Sequence, residues 1–243
     1  MPRYRIADFL FEMAPRYSLL ASVCEKYRVE TDASPDCTVR VTDEEIAAVT
    51  ALPEGFAEDY GESLSACRAV CKYATEHGAL MLHAAVIEVD GKAYAFCAPS
   101  GTGKSTHISL WRRRFGKRVQ IINGDKPLLR EKEGVFTVYG TPWCGKEGWN
   151  RNASAPLAGI CIITRAAENA IRRLSPDAAI EPIFRQLLKP ADAASLATTL
   201  SLADRLLSTV PVYLLGCNVS EEAAEIAYAM MTGEPVPPKK EGE

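Results

Sequence analysis

The sequence predicts an α/β fold, a mixed sheet with flanking helices, preceded by a small α+β module. Three observations carry this expectation. From residue 79 onward, apolar runs of strand length alternate with segments of helical periodicity. A glycine-rich turn at residues 98–105 joins one such strand to one such helix, the order expected of an α/β unit. Residues 1 to about 60 show short alternating runs broken by Asp, Ser and Pro clusters, which reads as a separate strand-rich portion.

Taken in order, residues 1–78 form the N-terminal module. Runs at 5–11 and 37–41 alternate apolar and polar positions as strands do. Leu64, Cys67, Val70, Cys71 and Ala74 recur at steps of three and four, one face of a helix over 62–77, with Gly78 as its stop. Residues 79–232 form the main domain. Strands at 80–89 and 92–97 are joined by Asp90-Gly91, a dipeptide suited to a two-residue hairpin. A helix follows at 105–115, with Arg112, Arg113 and Arg114 in its last turns, where positive charge complements the dipole, and Gly116 just past its end. Next come a strand at 119–122, a hairpin around 131–134, a Gly/Pro/Trp-rich segment at 140–150 and an apolar strand at 157–163. A strand at 171–174 leads to Ser175 and Pro176, an N-cap and first helical residue. Helices at 178–189 and 191–208, a strand at 210–215 and a helix at 220–231 complete the domain. Residues 233–243, rich in Pro, Lys and Glu, are expected to be a disordered tail.

Composition narrows the classes. Hydrophobic residues at 47% and charged residues at 24% support a packed core and exclude disordered, collagen-like and coiled-coil chains. A net charge of −3 offers no global basic field, so nucleic-acid and anionic-membrane binding are not expected. No apolar stretch approaches the roughly 18 residues of a bilayer span, and the N-terminus lacks a signal-peptide pattern, so a cytoplasmic location is expected. The eight cysteines are then expected as reduced thiols, and the spacing of Cys67 and Cys71 finds no second pair to complete a zinc site.

The chemistry concentrates in Ala98-Pro-Ser-Gly-Thr-Gly-Lys-Ser105, a phosphate-binding loop pattern with Ala in place of the first Gly. Backbone N–H groups of Ser100, Gly101, Thr102, Gly103, Lys104, Ser105 and Thr106 can curl around a polyphosphate at the helix N-terminus, where the helix dipole favours negative charge. Lys104 reaches phosphate oxygens and the Ser105 hydroxyl ligates Mg²⁺, which makes ATP and Mg²⁺ the expected cofactors. Asp125, 21 positions after Lys104 at the end of the next apolar strand, is the expected second metal ligand; the alternative is a residue of a turn-prone Asn-Gly-Asp.

That coupling of loop, helix and acidic strand resembles the C-terminal kinase domain of HPr kinase/phosphorylase, and within that group the HPr kinase-related proteins. The resemblance runs from about Leu82 to Val219. It includes Leu82-His83-Ala84-Ala85-Val86, Gly91–Phe96, Ser100–Ser105, Asn123-Gly124-Asp125, Tyr139–Lys146 and Arg172–Pro176. It implies a nucleotide domain of the HPr kinase and phosphoenolpyruvate carboxykinase type, phosphoryl transfer from ATP to a hydroxyl, and homo-oligomers. Two features depart from the family: two adjacent acids become Gly124-Asp125, and the C-terminal docking and phosphorolysis segment is not found. His83 stands where the resemblance puts an acid/base group, although a lone His in an apolar run also packs as a core residue. Lys146, in a Gly-flanked stretch, is the candidate second cation, or else a solvated loop lysine. Trp143, Cys144, Gly145 and Asn150 are weaker substrate candidates, with Trp143 and Trp149 able either to stack on a base or to pack in the core.

The expected activity is ATP/Mg²⁺-dependent phosphoryl transfer to a Ser or Thr of a protein or peptide. A small-molecule kinase acting on a free amino acid uses the same site, and a non-catalytic ATP-binding regulatory or accessory protein is the reading from another class. A carboxykinase-like enzyme needs a richer cluster of Arg and His; the chain has three His, of which His77 and His107 are expected on helix surfaces.

Overall fold

The computed structural model describes residues 1–239, and two sheets organise them. β1 (Arg3–Ile6) and β2 (Phe9–Met13) form a hairpin whose turn residues, Ala7 and Asp8, hold φ of 51° and 65°. The single strand expected over 5–11 is thus a tight reversal: Asp8 accepts the left-handed conformation and is held by Lys132 and Tyr139. After α1 (Ser18–Cys24), β3 (Arg28–Val29) and β4 (Cys37–Val39) complete a four-stranded sheet ordered β3-β1-β2-β4. α2 (Asp43–Thr50) opens on a capping box of Thr42 and Glu45. α3 (Glu58–Glu76) buries Cys67, Val70, Cys71 and Ala74, the face its periodicity marks out, in one hydrophobic cluster with the sheet residues Ile6, Phe11 and Met13.

The second sheet begins with β5 (Ala79–Leu82), β6 (Ala84–Val89) and β7 (Lys92–Cys97). The strand expected over 80–89 breaks at His83. There the backbone N–H leaves the ladder for the carbonyl of Gln186 at 2.8 Å, and the chain passes from pairing with one half of the sheet to pairing with the other. The hairpin between β6 and β7 turns on Asp90 and Gly91, both at positive φ, as their types predict. α4 (Lys104–Phe115) is followed by β8 (Val119–Asn123), then by the hairpin of β9 (Leu128–Lys132) and β10 (Val135–Tyr139). β11 (Ser154–Arg165) is long enough to pair with β10 at its start and with β7 further on. β12 (Ala170–Arg173) and α5 (Pro176–Phe184) follow, the helix capped by Ser175.

Where one helix is expected over 178–189, the chain leaves α5 and forms a short strand, β13 (Leu187–Leu188), on the edge of β5. Leu187 buries in the core by pairing there. α6 (Ala193–Thr209), β14 (Val212–Cys217) and α7 (Glu221–Thr232) follow. Residues 233–239, expected to be disordered, instead lie against the helices: Arg114 donates to the carbonyl of Pro237, and Val236 packs beside the α4–α7 cluster. The rest of that expected tail, 240–243, lies outside the described residues.

Both faces of the central strands are covered, which is why they read as nearly continuous apolar runs. Along β6 and β7, Ala84, Val86, Ala95 and Cys97 join the cluster beneath α5 and α6, while Ala85, Ile87, Tyr94 and Phe96 join the one beneath α4 and α7. Trp111 of α4 is fully buried in the latter, so Trp111→Ala is expected to cost about 3–5 kcal/mol. The register has a consequence for chemistry. β6 lies between β7 and β8 and is antiparallel to both, and β11 runs parallel to β7. The carboxyl ends of β7, β8 and β11 and the amino end of β6 therefore meet at one edge of the sheet.

Candidate functional site

The glycine-rich turn leaves the carboxyl end of β7 and enters α4. Gly101 and Gly103 take φ of 76° and 122°, conformations that glycine adopts without strain. α4 starts with neither a side-chain cap nor an acidic residue in its first turn, whereas Thr42, Ser175 and Asp192 cap α2, α5 and α6. Its first amides thus face the edge of the sheet as donors. Ser100, Gly101 and Thr106 are exposed, and Thr102, Gly103 and Ser105 half-buried. Arg165, at the end of β11, donates to the carbonyls of Gly101 at 2.6 Å and Thr102 at 3.3 Å. Because C=O and N–H of a trans peptide point in opposite directions, this grip turns the Gly103 N–H toward the other side of the loop.

Lys104 is buried, and burial lowers its pKa against the opposing pull of the Asp125 charge. Its ammonium donates to Ala98 O at 3.1 Å and lies 2.8 Å from Nε2 of His83. The same Nε2 lies 3.1 Å from Oδ1 of Asp125, while Nδ1 of His83 lies 3.1 Å from Oε1 of Gln186. Nε2 of His83 thus faces both a donor, the Lys104 ammonium, and an acceptor, the Asp125 carboxylate, and the ring's tautomer sets which of the two it bonds.

Asp125 sits just beyond β8 in a turn built by Asn123. This fully buried side chain accepts from the N–H groups of Asp125 at 2.9 Å and Lys126 at 2.8 Å, and donates to Thr141 O at 3.0 Å. Burial would raise the Asp125 pKa, but the His83 hydrogen bond and the adjacent Lys126 charge outweigh it and hold the carboxyl at about 2. It is a carboxylate at neutral pH, with its other oxygen paired to the Lys126 ammonium.

The segment 140–150 lies over this turn. Gly124 donates to Trp149 O and Lys126 to Trp143 O, and a Cβ at Gly124 would stand 2.6 Å from the carbonyl of Cys144. A side chain at 124 is therefore sterically barred, which accounts for the glycine there. Gly145 (φ 76°) approaches Asp125 so closely that its Cβ would lie 3.3 Å from that of Asp125.

The other sequence candidates fall outside the cluster. Trp143 is buried toward the N-terminal module and donates to Ser63 O at 3.0 Å, so it packs as core and offers no stacking face. Asn150 is occupied by Thr141 O and Lys26. Cys144 is buried, which pushes its thiol pKa up. Lys146 is exposed and makes no ion pair among the described residues; the cation beside Asp125 is Lys126. His77 is exposed as expected, but His107 is buried at 2% exposure, accepting from Trp111 Nε1 at 3.0 Å.

Sequence reasoning passed over Lys126, Asn123, Gln186, Arg165 and Glu147. Lys126 adjoins Asp125 in the chain, and Glu147 is half-buried with its charge acting on Lys104. No group of three or more His, Cys, Asp or Glu able to hold a metal exists among the described residues. Magnesium does not require one. It binds through one or two carboxylates or hydroxyls together with phosphate oxygens and water, and the hard oxygens of Ser105 and Asp125 fit that pattern.

Fold and site together define a mixed α/β protein with a glycine-rich strand-turn-helix at the carboxyl edge of its sheet. A closer relationship is found at the family level: residues 62–226, from within α3 into α7, match the SynChlorMet cassette protein ScmC family, and the chain belongs to it. No curated protein matches the chain. Among solved structures it is similar to the Hpr(Ser) kinase/phosphatase from Coxiella burnetii, with 11% identity, 63% of this chain and 99% of that chain covered, and a TM-score of 0.35. No helix among the described residues is long and apolar enough to cross a membrane.

Proposed function

We propose that the chain transfers the terminal phosphoryl group of ATP, with Mg²⁺, to a Ser or Thr hydroxyl of a protein or peptide. The observation that carries this reading is the contact chain Lys104–His83–Asp125, which puts a phosphate-seeking cation, an imidazole nitrogen and a carboxylate within 3.1 Å steps of one another. Phosphoryl transfer asks chiefly for positioning and charge neutralisation.

The loop amides from Gly101 to Thr106 hold the polyphosphate, and Lys104 turns from His83 to its oxygens. That movement releases Nε2 of His83, which accepts the proton of the attacking hydroxyl. Gln186 fixes the ring through Nδ1, and Asp125 stabilises the imidazolium that forms. The Ser105 hydroxyl and the Asp125 carboxylate would hold Mg²⁺, which supplies charge neutralisation at the transferred group. Lys126 takes the second-cation role, and Glu147 supplies the further negative charge that a second acid provides elsewhere. Residues 1–78 act as a substrate-gripping module ahead of the nucleotide domain of 79–232.

The reading is tested by incubating the full chain with ATP, Mg²⁺ and Ser- or Thr-containing peptides. Phosphopeptide formation by the parent, abolished in Lys104→Ala, is the expected result. Tight ATP binding with no acceptor phosphorylated across a broad peptide and amino-acid screen would replace the kinase by a nucleotide-binding regulatory protein.

A further inference from the structure

A cleft of about 640 Å³ opens between α2 and α3 on one side and the chain from β13 toward α6 on the other. Its walls are unevenly charged. Arg68, Lys72, Lys126 and Lys189 line it against the single acid Glu45, in a chain whose net charge is −3. Two of these cations are compensated locally. Lys72 pairs with Glu76 and Asp192, and Lys126 pairs with Asp125. The other two are not: among the described residues neither Arg68 nor Lys189 has an ion-pair partner, Lys189 donating instead to the carbonyl of Phe184 at 2.9 Å. Glu45 forms no ion pair with either among the described residues; its carboxylate accepts from the N–H of Thr42 in the capping box of α2. Both uncompensated residues are exposed, and Leu64 and Leu188 add apolar surface to the lining of the cleft.

The cleft connects to the site. Lys126, which lines it, is the residue that contacts Asp125, so a chain lying in the cleft ends one side chain away from the His83–Asp125 pair. A volume of this size accommodates a ligand of several residues, beyond what a single small acid fills. We infer that this cleft binds an acidic peptide segment, whose carboxylates engage Arg68 and Lys189 and whose hydroxyl-bearing residue is delivered toward Asp125. The inference rests on the kinase reading for the fate of that hydroxyl, but the binding itself does not depend on catalysis.

The test measures binding and transfer separately. A fluorescently labelled peptide with one Ser among several Asp and Glu residues is titrated with the full chain, beside a peptide of the same length with Asn and Gln in their place. The acidic peptide is expected to bind at least about tenfold more tightly, and to weaken by about tenfold in Arg68→Glu/Lys189→Glu, since reversing two charges adds repulsion to the lost attraction. ATP affinity is expected to stay within about twofold in that variant, and Arg112→Glu, on α4 away from the cleft, is expected to leave peptide binding unchanged. Arg68→Ala/Lys189→Ala, which adds no repulsion, is expected to give an intermediate loss. Equal binding of acidic and neutral peptides, or unchanged binding in both double variants, would overturn the inference. So would a loss of ATP affinity in the charge-reversed variant, which would give the cleft to the nucleotide, or binding of free L-serine as tight as that of the peptide. Acidic-peptide binding with the expected variant response but without phosphorylation supports the cleft assignment and counts against the kinase reading alone.

Discussion

The ammonium of Lys104 lies 2.8 Å from Nε2 of His83, the same nitrogen that lies 3.1 Å from Oδ1 of Asp125. In the proposed transfer the contact ties two functions to one movement: when Lys104 turns toward phosphate, His83 becomes free to take a proton. It also has an energetic side. Lys104 is buried at 8% exposure, and its lowered pKa reflects the cost of removing an ammonium from water.

Lys104→Met keeps the stem and removes the buried charge. The chain without nucleotide is expected to gain about 1 kcal/mol of stability, since a well-packed apolar side chain commonly outperforms a buried ion. The parent's stabilisation by ATP and Mg²⁺ is expected to vanish in the variant. Thermal melts with and without nucleotide check both; a large loss of stability without nucleotide would contradict the burial argument.

Gly124 gives a steric expectation. Gly124→Asp places Cβ 2.6 Å from the Cys144 carbonyl, a backbone atom that yields only if the 140–150 segment moves. The variant is expected to lose about 1–3 kcal/mol and activity together. Urea denaturation and a transfer assay distinguish this from a gain in rate, which would mean that the segment readily vacates the position.

Arg165 braces the outer face of the loop through two carbonyls and touches no other candidate site residue. Arg165→Ala is expected to weaken ATP binding about tenfold, as removal of a charged hydrogen-bonding partner from a recognition loop does, with a smaller effect on kcat. Arg165→Lys, lacking the fork that reaches both carbonyls, is expected to fall between. Calorimetric titration beside steady-state kinetics tests the split; a collapse of kcat at unchanged ATP affinity would give Arg165 a direct role in transfer.

His107 makes the chain acid-sensitive. Burial holds its pKa at about 4 against 6.5 for a free imidazole, so between those values the unfolded chain binds the extra proton and stability falls as pH falls. The loss totals about 3 kcal/mol at most, absent above pH 6.5 and complete by about pH 4. His107→Gln keeps an acceptor for Trp111 without titrating. The parent is expected to lose more stability than this variant between pH 7 and pH 4 in urea melts, and parallel losses would remove His107 as the cause.

How much was legible in the sequence depends on the range of each interaction. The α/β class and the Asp90-Gly91 hairpin follow from local periodicity and turn chemistry, and the structure has both. The break at His83 was not legible, because what ends the strand is the carbonyl of Gln186, a hundred residues away in the chain. His107 reads as a surface residue on a helix crowded with arginines; its burial depends on the packing of Phe96 and Trp111 around it. The nearness of His83, Lys104 and Asp125 follows from antiparallel β6 lying between β7 and β8, a register that no local pattern states. Lys146 stands out in the sequence by its Gly-flanked motif, whereas the pairing of Lys126 with Asp125 comes from the Asn123 turn that holds both residues.

The central claim is that Asp125, held ionised beside His83, serves transfer itself. Single-turnover transfer of a labelled terminal phosphate from ATP to an acidic Ser peptide, in the parent and in Asp125→Asn, tests it most directly. Transfer is expected in the parent, with a loss of at least about a hundredfold in Asp125→Asn with the fold intact, in the range seen when a positioned acid–base or charge-stabilising group is removed. Transfer by Asp125→Asn at the parental rate would contradict it.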